Sequence, residues 1–206
     1  MKSLFFAVAL FAIQPAFATY LAINESGEIP EVGDYKLGIA PQLLLNEGGG
    51  ANVGVFMDAP IREDFSVRGM AGAGEVDFHL GASAKYIPFP DVDNQPAIGG
   101  RAAIWYAREG DLNITTIQFA PLVSKKVTDV TDMTFVPYAA IPVNITSHKG
   151  RNFTGTQFVV GTEWVHASAP NLLFTGELAL NMNDSYSALT FSLALPIDES
   201  RGFKTR

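Results

Sequence analysis

The sequence predicts an all-β fold: a single antiparallel up-and-down transmembrane β-barrel of about ten strands. Three observations carry this. From Tyr35 to Leu195 apolar and polar residues alternate with a period of two, and only a strand sorts successive side chains onto opposite faces. Nineteen Gly and twelve Pro beside 17% charged residues suit tight turns better than a helical bundle. The face opposite the apolar one is rich in Gly, Ala, Ser, Asn and Gln, whereas a strand surface facing water is usually rich in Lys, Glu, Thr and Arg. Small residues with a few charges of both signs suit a confined lumen, and the apolar face then meets lipid.

Residues 1–18 read as a secretory signal peptide: basic Lys2, an apolar run over 4–13, and Ala16-Phe17-Ala18 as the cleavage site. The run is about half of what a spanning helix needs, and no later stretch approaches ~18 apolar residues. Residues 19–34 are polar and irregular, an N-terminal lead-in. The barrel is expected over 35–196 and a tail over 197–206.

The first strand, 35–46, sets Tyr35, Leu37, Ile39, Leu43 and Leu45 on one side. Strands over 51–58 and 65–74 follow. Over 76–86 the even positions, Val76 to Tyr86, are apolar, and the odd ones are Asp77, His79, Gly81, Ser83 and Lys85. Next come 96–107, then 112–123 and 133–146 with weaker alternation. The last three strands are 153–164, 172–182 and 185–195. Parity places Arg68, Asp77, His79, Lys85, Arg101, Glu163 and Glu177 on the lumen side. Tyr35, Tyr86, Tyr106 and Trp164 fall at strand ends, where rings form interfacial belts.

The absence of cysteine excludes disulfides, Cys-ligated metal sites and a thiol nucleophile. A net charge of −7, from 14 Lys plus Arg against 21 Asp plus Glu, argues against nucleic acid as a partner. Asp77 and His79 with Ser83 are the one arrangement resembling a nucleophilic triad. A satisfied lumen hydrogen-bond network explains them better, because no nucleophile motif accompanies them. His148 lies in a basic turn, and His166 with Ser168 lacks a third partner. The three histidines are far apart, so no metal site is expected.

With this leader, these dyad repeats and no cysteine, the chain from Tyr35 to Leu195 resembles the small single-chain outer-membrane β-barrel proteins of Gram-negative bacteria. The segments 86–91, 95–101 and 160–166 also make it similar to the porin-like outer-membrane proteins of predatory bacteria. That second resemblance implies oligomers that enclose lipid. Together they imply a non-catalytic structural or porin-like role in the bacterial outer membrane. Membrane lipid and further copies of the chain are the expected partners, and no cofactor is expected. The alternatives are a lipid-modifying barrel enzyme and a soluble secreted barrel carrying an apolar ligand.

Three features depart from the usual pattern. The chain lacks an aromatic strand terminus and runs on past Pro196. Pro41, Pro121, Pro137 and Pro142 lie inside expected strands, which predicts bulges or a gap between strands six and seven. With the N-terminus in the periplasm, the outward turns are the short ones, the reverse of the usual arrangement. A barrel of about eight strands is already filled by side chains. In a ten-stranded one the lumen glycines and alanines leave a narrow water path, unless the lumen charges pair and close it.

Overall fold

A computed structural model describes residues 21–46, 49–128, 133–198 and 202–203. The signal peptide expected over 1–18 lies outside them, as do residues 19–20. Twelve strands follow in chain order: β1 (Asp34–Leu44), β2 (Ala51–Arg62), β3 (Phe65–Gly74), β4 (Phe78–Phe89), β5 (Ala97–Glu109), β6 (Leu112–Ser124), β7 (Met133–Ala140), β8 (Val143–His148), β9 (Arg151–His166), β10 (Ala169–Asn183), β11 (Ala188–Asp198) and β12 (Gly202–Phe203). Each pairs antiparallel with its neighbours, and β1 pairs with β11, so the sheet closes on itself. Strands β7 and β8 are two halves of one stave between β6 and β9, and β12 is a short appendage on β11. The barrel therefore has ten staves.

Alternation decides the two faces. On β4, Leu80, Ala82 and Tyr86 point outward and exposed, whereas His79, Ser83 and Lys85 point inward and are buried. The same division runs round the wall, with Ile39, Val55, Ile104, Ile117, Phe158 and Phe191 among the exposed outer residues. Rings gather at both rims. Trp164 stacks on Phe174 at the end where β1 begins and β11 finishes, and Phe78 packs on Tyr106 at the far end. Every backbone group of a closed sheet has a ladder partner available, which is the condition for placing strands in hydrocarbon.

The expected strand over 133–146 is broken. Pairing of β6 with β8 stops at Phe119, and pairing with β7 starts at Leu122. Pro121 and Pro142 flank the lapse, which only the Pro121 carbonyl bridges, accepting from Ile141 N at 3.3 Å. The other strand prolines follow the same rule. The β1–β11 ladder lapses at Ala40 and Pro41 while the ladder to β2 runs through. Pro137 is paired with Thr162 on β9 but lies beyond the β6–β7 pairing. A residue without an N–H is tolerated in a closed sheet where one of its two ladders is interrupted.

Two expectations need correction. β4 begins at Phe78, so Val76 and Asp77 belong to the preceding turn. Val76 is folded inward against Ala107 and Ile114 rather than outward. Asp77 is exposed and accepts a hydrogen bond from Gly110 N at 2.8 Å, so it does not line the lumen. The tail also starts later than expected, since β11 runs through Pro196 to Asp198.

The inner face is filled. Phe56, Trp105 and Tyr138 point inward, and each faces a glycine on the next strand: Gly38, Gly81 and Gly161. A Cβ at any of these glycines would collide with the ring opposite. The glycines therefore seat aromatic rings instead of opening a water path. Unheated protein is expected to migrate apart from boiled protein on SDS electrophoresis, as closed sheets do. Ile104→Arg, at mid-strand on the outer face, is expected to cost about 2–4 kcal/mol in urea unfolding from lipid bilayers. Asp111→Arg in an exposed turn is expected to stay within about 0.5 kcal/mol.

Candidate functional site: a polarised lumen and its occupant

The residues preceding β1 do not trail away from the barrel. Residues 21–26 are buried inside it. The segment reaches Tyr186 near the far end, descends through the lumen, and leaves beside Ser124 and Lys126 at the end where β1 begins. It joins none of the ladders, so side chains of the wall hold it.

Those side chains divide by charge. Arg68, Lys85 and Arg101 project inward from the adjacent strands β3, β4 and β5. Glu163 and Glu177 project from β9 and β10. The segment runs between the two sectors and offers each what it needs. Its N–H groups turn to the carboxylates: Ile23 and Asn24 donate to Glu177, and Ser26 donates to Glu163 at 2.6 Å. Its carbonyls turn to the cations. Arg68 donates to Asn24 O at 3.0 Å, Arg101 to Ala22 O at 3.3 Å, and Lys85 to Ser26 O and Glu28 O at 2.8 and 2.9 Å.

Neutral groups complete the cradle. Tyr186 Oη accepts from Leu21 N at 2.7 Å, Gln118 donates to Leu21 O at 3.0 Å, and Ser124 Oγ accepts from Gly27 N at 3.0 Å. Gly27 matters here, because a Cβ would lie 2.6 Å from Ser124 Oγ and 3.0 Å from Ala97 Cβ. Tyr138 Oη donates to Glu177 at 2.8 Å. At the exit Lys126 meets Glu28 at 3.4 Å, and Lys125 pairs with Asp91 of the β4–β5 loop.

One side chain of the segment is itself read. Glu25 is 3% exposed, with Oε2 3.1 Å from Lys85 Nζ and Oε1 2.8 Å from Arg101 Nε. Arg68 also forms a bidentate pair with Asp58, its direct cross-strand neighbour on β2, at 2.5 and 2.8 Å. Its guanidinium lies over the Phe56 ring, 4.3 Å from the centroid. Lys36 pairs with Glu163 at 3.8 Å.

Of the seven residues expected in the lumen, Arg68, Lys85, Arg101, Glu163 and Glu177 converge on the segment. His79 also points inward and is buried, its ring beside Gly54 and Gly72. Asp77 is outside. Its displacement separates it from His79, so the triad weighed from sequence has no acid at that position. His166 Nδ1 meets Ser168 Oγ at 2.6 Å in the exposed β9–β10 turn. Sequence reasoning missed Glu25 and the cradle residues Gln118, Ser124, Tyr138 and Tyr186. Glu25 lies in a stretch without periodicity, and nothing local marks it as a lumen residue.

A closed antiparallel sheet with an apolar girdle outside and a paired polar interior has the architecture of an outer-membrane β-barrel. No protein-family model matches the chain, and no curated protein matches it by sequence. Among solved structures, it is similar to the beta domain of the Bordetella autotransporter Brka. That match has 7% identity and a TM-score of 0.45, covering 79% of this chain and 98% of that one. It is also similar to the translocator domain of autotransporter NalP from Neisseria meningitidis, at 9% identity and TM-score 0.38, covering 82% and 90%. A third similarity is to Ail, the attachment invasion locus protein of Yersinia pestis, at 10% identity and TM-score 0.32, covering 82% and 95%.

Glu25 holds one oxygen against Lys85 and the other against Arg101. Glu25→Gln is therefore expected to lower the amide-exchange protection of residues 21–28 relative to wild type.

Proposed function

We propose that this is a non-catalytic, porin-like barrel of the outer membrane that rests closed, sealed by its own N-terminal segment. The observation that carries this reading is the clamping of residues 21–28 between the cationic and acidic sectors of the lumen. Such a seal holds because removing the segment strands buried charges, and an unpaired buried charge is costly. It is also removable. If the signal peptide is cleaved after Ala18, the segment is a free chain end, so it can withdraw without cutting or unfolding a strand.

Cross-linking tests the reading, and the chain's lack of cysteine makes the test clean. Glu28→Cys combined with Lys126→Cys, oxidised onto a short dithiol linker, ties the segment to the wall where those two side chains meet. In planar bilayers, wild-type protein is expected to be silent at low voltage, and a variant lacking residues 21–28 is expected to show conductance steps. The oxidised double variant is expected to stay closed under voltage that opens wild type, and to regain opening on reduction. Steady conductance that is equal in the wild type and in the oxidised variant overturns the proposal.

A second reading concerns the outer face, and one observation favours it. Gly69 and Ala82 are direct neighbours across β3 and β4, and Ala84 and Ala102 across β4 and β5. A Cβ at Gly69 meets nothing within 4 Å. This flat patch lets a second barrel approach closely, as small residues do between membrane segments. Beside it, Tyr86, Phe89, Ile98, Phe119 and Pro121 line an apolar groove suited to a lipid chain. In mild detergent, light scattering is expected to show an oligomer and Ala82→Trp a monomer. A monomeric wild type removes this reading.

A further inference from the structure

We infer that withdrawal of the segment uncovers a carboxylate-binding site made by Lys85 and Arg101 with Arg68, and that this site makes the open lumen anion-selective. The inference rests on the sealed-barrel reading and specifies what the opened lumen accepts.

The sheet register supplies the first argument. Lys85 and Arg101 are direct cross-strand partners on β4 and β5, and both are 3% exposed. Like charges directly opposite one another destabilise a sheet. Two buried cations at one rung persist when an anion sits between them, and the Glu25 carboxylate does so here, with one oxygen on each.

The second argument is what remains when the segment leaves. Arg68 keeps its bidentate partner Asp58. Lys85, among the described residues, bonds only to the segment: to Glu25, Ser26 O and Glu28 O. Arg101 keeps the Gln118 amide oxygen, at 2.6 Å, and the face of Trp105, neither of which carries charge. Among the described residues, the buried charges of the inner wall are Arg68, Lys85 and Arg101 against Asp58, Glu163 and Glu177. Asp58 is taken by Arg68, and Glu163 pairs with Lys36. Without Glu25 the Lys85–Arg101 rung therefore holds two adjacent cations with no carboxylate in ion-pair contact. A mobile anion must enter there. The geometry Glu25 displays suits a small carboxylate, one oxygen taken by an ammonium and the other by a guanidinium.

The test uses the variant lacking residues 21–28 in planar bilayers, with retained heat-shift on SDS electrophoresis as the folding control. In a potassium chloride gradient the reversal potential is expected to show a several-fold preference for chloride. Citrate added to one side is expected to reduce the current. Adding Lys85→Gln and Arg101→Gln is expected to abolish both effects. Full-length Glu25→Gln serves as a second variant, since it keeps the backbone contacts and removes only the carboxylate. It is expected to open more readily than wild type, with the same chloride preference. An open deletion variant that is unselective or cation-selective, or that ignores citrate, overturns the anion site and leaves the sealed-barrel reading intact. A folded deletion variant that passes no current overturns both.

Discussion

The separation of charge across the lumen is the constraint on which the rest of the molecule depends. A barrel that faces lipid turns its apolar side chains outward, so its interior cannot be held by an ordinary hydrophobic core. The interior must instead satisfy its own polar groups, because each buried charge left unpaired costs several kcal/mol. Here Arg68, Lys85 and Arg101 stand on β3 to β5 and two of the carboxylates on β9 and β10. An extended backbone suits the space between them, since its donors and acceptors can be turned to opposite walls. The N-terminal segment is therefore as much a part of the interior as the strands are.

Packing follows from the same constraint. The lumen of a ten-stave barrel is too wide for small side chains to fill, and the chain fills it with a few large ones. Phe56, Trp105 and Tyr138 each lie over a glycine of the adjacent strand, and they pack in clusters with Leu21, Ala22 or Ile23 of the segment. Composition alone counts those glycines as empty space. The wall prolines show comparable economy. Each sits where one ladder lapses, so the sheet remains closed although Pro41, Pro121 and Pro142 cannot donate.

The two faces divide the functional readings. The inner face supports the proposal of a barrel that is shut until its N-terminal segment is displaced. The outer face, with a flat patch and a neighbouring apolar groove, supports association with lipid and further copies. The readings are compatible, because one uses inward and the other outward residues of β3, β4 and β5.

The strands, their faces and the inward aim of Arg68, Lys85, Arg101, Glu163 and Glu177 were legible in the order of residues alone. The reason is that a period of two is a local property of neighbouring residues. Tertiary structure decided which of those charges meet. Glu25 reaches Lys85 and Arg101 across long stretches of chain, and Ser26 reaches Glu163 likewise. No local pattern encodes such contacts. Asp77 illustrates the limit well. Counted by parity it balances the lumen cations and hides the place that Glu25 takes beside Lys85 and Arg101. Only the strand start at Phe78, set by the turn before it, sends Asp77 outside and leaves that place to Glu25.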